Sequence, residues 1–170
     1  EDLDFFSQTY QSDEPERIMK WISQKTRGTY RLEREQDDPT LVPMRIYTAI
    51  LEEVLPLKID FVQDVDENLK PIQNGVHSVE DIYYRKICAA VGRNEGRQDV
   101  TGRMLPTGRQ TAKDAFDLAY LSRKHRALHQ FFMKYFPESK VEQLIAWWRG
   151  FDRMRLKLEL NDLVPGEDPV

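Results

Sequence analysis

The chain has 170 residues, 40% of them hydrophobic and 32% charged, with a formal net charge of −4. That length and balance suit a single core without disulfides or metals and lie far from the composition of disordered chains. The lone cysteine, Cys88, excludes an internal disulfide and favours a reducing compartment, cytoplasm or nucleus, while the lack of any apolar run near 20 residues and of a signal-peptide pattern predicts neither membrane insertion nor secretion.

Charge is spread unevenly. Residues 1–84 carry 9 basic and 18 acidic side chains, residues 85–130 carry 10 and 4, and residues 131–170 carry 6 and 7. This asymmetry predicts one surface suited to an anionic partner and another suited to basic ones.

The chain opens with EDLD, read as the acidic start of an excised domain, and LDFFSQTY then offers Leu3, Phe5 and Phe6 to dock a short helix. A helix is predicted over the mid-teens to Gly28, with Asp13 and Glu16 at capping-box spacing and Pro15 in the first turn. Residues 29–33 alternate as a short strand. A second helix is expected from about 41 to 55, because Met44, Tyr47, Ile50 and Val54 recur at helical spacing before Pro56. Residues 58–62 read as another short strand, able to pair with 29–33. Ser78 and Asp81 open a third helix that Gly92 stops; Thr111 and Asp114 open a long fourth one reaching Phe136; Ser139 and Glu142 open a fifth. The whole predicts a mainly α fold of about five helices in a single domain over 1–162, the last two forming an antiparallel hairpin, with one small two-stranded β element in the N-terminal half, a mobile basic loop over 93–110 and a flexible tail at 163–170.

Catalytic patterns are sparse. Asp64, Asp66 and Asn68 imitate the start of a calcium loop, but Leu69 and Gly75 stand where it needs glycine and glutamate. His125 and His129 have zinc spacing without a third ligand, and glycines 92, 96, 102 and 108 fit no phosphate loop. No cofactor or metal is expected. A remote alternative is a metal-dependent phosphoryl-transfer or hydrolytic enzyme using Asp60, Asp64 and Asp66.

What stands out is arginine. Arg93, Arg97, Arg103 and Arg109 each follow a glycine; Arg123, Lys124 and Arg126 cluster in SRKHR; Arg149, Arg153 and Lys157 form an i, i+4, i+8 stripe. Such cations can neutralise phosphates, although Arg and Lys are also ordinary residues of solvated helix faces. Trp147 and Trp148 point about 100° apart on a helix, so both are buried only if the fifth helix is covered on a wide face; core packing is expected, and either ring, if exposed, is a candidate anchor for a protein partner. The reading is a non-enzymatic intracellular module that binds RNA, DNA or an acidic protein surface through its basic loop and helix faces. The alternative is a purely protein-binding adaptor using its acidic first half or an exposed tryptophan.

Overall fold

The computed structural model describes residues 2–51, 56–92 and 96–163. The chain divides into two compact units, Glu1–Glu67 and Asn68–Val170. Among the described residues no helix is long and apolar enough to cross a membrane.

The first unit is a four-stranded mixed sheet with one helix. Its elements are β1 (Asp2–Ser7), α1 (Glu14–Thr26), β2 (Thr29–Gln36), β3 (Met44–Ile50) and β4 (Leu57–Gln63). The strand order is β1-β4-β3-β2, with β1 parallel to β4 and the other pairs antiparallel. Alternation decides which face each residue joins. Tyr47, Ala49, Ile59 and Phe61 are buried on the face that Met19 of α1 packs against, with Ile18, Ile22 and Tyr30 around them. Glu16 of α1 accepts hydrogen bonds from Tyr30 Oη at 2.9 Å and Tyr47 Oη at 3.3 Å, tying helix to sheet. Burial, with the Glu16 carboxylate beside it, pushes the Tyr47 hydroxyl up to about 12.

The mainly α expectation is therefore wrong for this unit. The segment expected to dock as a short helix is instead strand β1 through Ser7, because a parallel partner, β4, covers its backbone. The helix expected over about 41–55 is strand β3 across Met44–Ile50, its residues 52–55 lying outside the described set. The spacing of Met44, Tyr47 and Ile50 suited a helix, but the burial alternates with period two, and Pro43 precedes the strand as it would a helix. Residues 29–33 and 58–62 are strands, yet they do not pair with each other, since β3 lies between them. The first helix stands as expected, except that the Asp13 side chain makes no capping bond and the stop is made by Arg27 at φ 54°.

The second unit is helical: α2 (Val79–Val91), α3 (Ala112–Lys124), α4 (Leu128–Tyr135), a single 3-10 turn (Glu138–Lys140), α5 (Val141–Arg149) and α6 (Arg153–Leu163). Its core joins Tyr83, Ile87, Ala90 and Val91 of α2 to Leu118, Phe131, Phe132 and Trp147. Ser78 and Thr111 cap α2 and α3 through the N–H groups of Asp81 and Asp114, as their spacing predicts. Each of the two long helices expected after Thr111 is broken in two. The first break is held by Ser122 Oγ, which accepts the Leu128 N–H at 3.0 Å, and by Tyr83 Oη, which donates to the Arg126 carbonyl. The second follows Gly150, where Asp152 Oδ1 caps a new helix by accepting the N–H groups of Met154 and Arg155. The long C-terminal hairpin is thus replaced by shorter helices, with α6 against α3 and α5 against α2.

One buried acid organises this unit. Asp114 is fully buried; it accepts from Arg109 Nε and Nη2 at 2.8 and 2.7 Å and from Thr111 Oγ1 at 2.6 Å, and Lys86 Nζ lies 3.7 Å away. Burial works to raise the Asp114 carboxyl, but the Arg109 and Thr111 hydrogen bonds and the nearby cations outweigh it and hold it below its ordinary value. The same segment crosses α2 closely: a Cβ on Gly108 would fall 2.0 Å from the Ala90 carbonyl oxygen.

Two outcomes follow. Because the folded carboxyl titrates below the unfolded one, its contribution is present above the ordinary aspartate range and is lost as pH falls through the folded value. Asp114→Asn should cost roughly 2–3 kcal/mol at neutral pH and flatten the loss of stability below about pH 4, measured by urea unfolding across pH. Gly108→Ala should cost about 3 kcal/mol, since backbone atoms on both sides cannot yield; an unchanged melting temperature would contradict the close crossing.

Candidate functional site

The sheet of the first unit has one covered face and one polar face. On β1 the sequence Asp2-Leu3-Asp4-Phe5 alternates, sending Leu3 and Phe5 toward the α1 side and both acids to the other. The parallel register aligns Asp2 with Lys58 and Asp4 with Asp60. Paired positions on neighbouring strands share a face, with backbones about 4.8 Å apart. Asp2, Asp4, Lys58 and Asp60 therefore form one charged patch, and its position is fixed from behind by Phe5 stacked on Phe61 at 5.1 Å between ring centroids.

Within this patch Asp60 is the most enclosed, its side chain 17% exposed. Its Oδ2 takes an ion pair from Lys58 Nζ, while Oδ1 is buried with no hydrogen-bond partner. Such an oxygen is costly to bury unless something positive or a donor meets it. The donor set is made of hard carboxylate oxygens on adjacent strands, the type that suits magnesium or manganese. Among the described residues no three acidic, histidine or cysteine side chains form a ready-made cage, so an ion would be held by carboxylates that turn toward it.

Of the acids singled out from the sequence, Asp60 belongs to this patch. Asp64 and Asp66 lie past the end of β4, where Asp64 Oδ1 accepts the Asp66 N–H and the Asp64 N–H donates to Ser7 carbonyl oxygen. Asp2 and Asp4 were missed, although the signal was present: two acids at i and i+2 separated by leucine and followed by Phe-Phe are the pattern of a strand with a polar face.

The basic residues fare differently. Arg93 lies outside the described residues. Arg97 and Arg103 are exposed on a hydrogen-bonded turn, in which Asp99 Oδ1 accepts from the N–H groups of Thr101 and Arg103. Arg109 is committed to Asp114. Arg123 and Lys124 are exposed in the last turn of α3, where cations favour the helix dipole, and Arg126 is exposed in the break that follows. The break after Gly150 splits the expected stripe, leaving Arg149 on α5 and only Arg153 and Lys157 sharing a helix. Trp147 is buried and donates its Nε1–H to the Arg109 carbonyl, whereas Trp148 is 60% exposed.

A strand pair that presents carboxylates side by side, one with an unpartnered oxygen, is the kind of site used by enzymes that move phosphoryl groups with metal ions. The comparison with known families agrees on the class. Residues 1–160 match the family described as nucleotidyl transferase AbiEii toxin, type IV toxin–antitoxin system, and the chain belongs to that family. No curated protein and no solved structure matches it. Family membership overturns the expectation of a non-enzymatic binding module or adaptor: the family is one of enzymes, and the fold is α/β. A nucleotidyl transferase belongs to the broad class of phosphoryl-transfer enzymes that the remote alternative named.

Lys58→Met removes the cation paired with Asp60 and leaves the acids of the patch to repel one another, so it should lower the melting temperature by a few degrees. Thermal unfolding followed by circular dichroism would show the fall; an unchanged melting temperature would remove Lys58 as the residue that holds Asp60 in place.

Proposed function

We propose that the chain is a nucleotidyl transferase whose catalytic centre is built on Asp2, Asp4 and Asp60. The observation that carries this reading is the register of β1 on β4, which sets Asp4 beside Asp60 and leaves Asp60 Oδ1 unpartnered. Nucleotidyl transfer joins an acceptor oxygen to the α-phosphorus of a nucleoside triphosphate and releases pyrophosphate. Asp2, Asp4 and Asp60 would hold a divalent ion, which when bound neutralises charge on the phosphates. Lys58 holds the Asp60 carboxylate in one orientation through Oδ2, and the unpartnered Oδ1 is available to the proton of the attacking hydroxyl. Phe5 and Phe61 keep the strands from slipping while this happens.

The exposed cations of the second unit, Arg97, Arg103, Arg123, Lys124, Arg126, Arg149, Arg153 and Lys157, are of the kind that grip an anionic acceptor, and a nucleic acid suits them. The family's place in a toxin–antitoxin system supports an antitoxin as the functional partner and the cytoplasm as the site of action; nothing supports the nucleus.

Asp4→Asn and Asp60→Asn should each lower incorporation of label from an α-labelled nucleoside triphosphate by about a thousandfold or more, with melting temperatures unchanged or raised because like charges are removed. Full activity in either variant, or activity undiminished by a metal chelator, would sink the assignment.

A further inference from the structure

The second unit contains a cavity of about 800 Å³ between the Arg-rich turn and the start of α5, lined by Gly96, Met104, Met133, Glu138, Glu142 and Gln143 among others. That volume lies in the range of small-molecule sites. Gln143 is 3% exposed, yet its side-chain oxygen Oε1 has no hydrogen-bond partner. A buried acceptor without a donor is rare in folded proteins and marks a place where a ligand or water completes the bonding. The amide is closely seated: a Cβ on Gly96 would fall 2.6 Å from Gln143 Nε2 and 2.4 Å from Met104 Sδ, so any larger residue there would intrude on both side chains that line the cavity.

The walls specify the ligand. Two thioethers, Met104 and Met133, offer polarizable, uncharged surface of the sort that packs on aromatic rings. Gln143 Oε1 requires an N–H donor. Lys140 also lines the cavity, but its Nζ donates to the Gly92 carbonyl at 3.2 Å, and the carboxylates of Glu138 and Glu142 oppose a phosphate inside. A flat, neutral ring with an amino group meets all three conditions, and the volume admits a two-ring base.

We propose that this cavity is a nucleobase site that takes an amino-bearing purine, adenine, with its exocyclic amine donating to Gln143 Oε1 and its rings against Met104 and Met133. The site uses no residue of the carboxylate patch and lies wholly within the second unit. The base enters and the sugar-phosphate stays outside, which fits either a free adenine nucleoside or an adenine at an unpaired position of an RNA strand.

The test is calorimetric titration of the full chain in the presence of a chelator, so that a failed metal site and a failed base cavity are told apart. Adenosine should bind at least about tenfold more tightly than purine riboside, the same molecule without the amine. Gln143→Leu should erase that preference, and Met133→Ala, at a side chain already 62% exposed, should weaken both ligands severalfold without moving the melting temperature. A single-stranded oligoadenylate that binds more tightly than adenosine identifies RNA as the source of the base; equal or weaker binding identifies the free nucleoside. Equal affinity for adenosine and purine riboside, no binding at millimolar adenosine, or Met133→Ala behaving as wild type would each overturn the proposal.

Discussion

The catalytic reading depends on a single pairing, Phe5 of β1 against Phe61 of β4. The two rings stack on the α1 side of the sheet, and Tyr47 meets Phe61 edge-on at 5.9 Å. Because side chains alternate with period two, a slip of one residue would carry Asp4 toward the core and Phe5 to the polar face. The aromatic contact thus does more than bury area. It selects the register in which Asp4 stands directly beside Asp60 on the polar face, so the geometry of the patch is set by packing on the opposite side of the sheet.

The second unit is organised by the opposite device, a charge buried rather than displayed. Asp114 sits at the first turn of α3 and is closed off by Arg109, Thr111 and Lys86, so the incoming segment, the helix start and α2 are fixed by one carboxylate. Lys86 is shared with Asp117, one turn further along α3. The Arg109 carbonyl then receives Trp147 Nε1, and Gln110 donates to the Trp147 carbonyl at 2.7 Å. Gly150 has room for this crossing only because it lacks a side chain, as Gln110 and Pro106 occupy the place where a Cβ would stand. Arg109, which a reading of phosphate-binding residues would single out, has its guanidinium spent on the fold.

How much was legible follows from where the signals were local. The caps at Ser78 and Thr111 and the stop at Gly92 are encoded within a few residues, and they appear in the structure where the spacing puts them. The strands were harder, since a seven-residue stretch such as MRIYTAI satisfies helical and alternating patterns alike until its neighbours in space are known. The first helix break was invisible for a related reason, since Ser122 acts by a hydrogen bond to a residue six positions on with no proline or glycine to announce it; the second had Gly150 as its signal, a glycine inside a helical pattern that marks a close approach or a bend. The site was split between these cases. Asp60 stands within an alternating stretch, and the alternation of Asp2 and Asp4 with Leu3 and Phe5 marks a polar strand face, but that the two faces meet depends on β1 lying parallel to β4, a contact across more than 50 residues that no local pattern carries.

The patch itself carries an electrostatic tension. Three carboxylates on adjacent strands repel one another, and each would be more stable apart or neutral. Lys58 relieves part of this, standing in register with Asp2 and bonded to Asp60, while Asp60 Oδ1 keeps its buried, unsatisfied state. Stability alone would favour a donor or a cation from the protein at that oxygen. That the sheet instead leaves Asp60 Oδ1 unmet among acids that share one face, braced by an aromatic stack behind it, is what the proposed centre needs if a cation is to arrive there with the substrate.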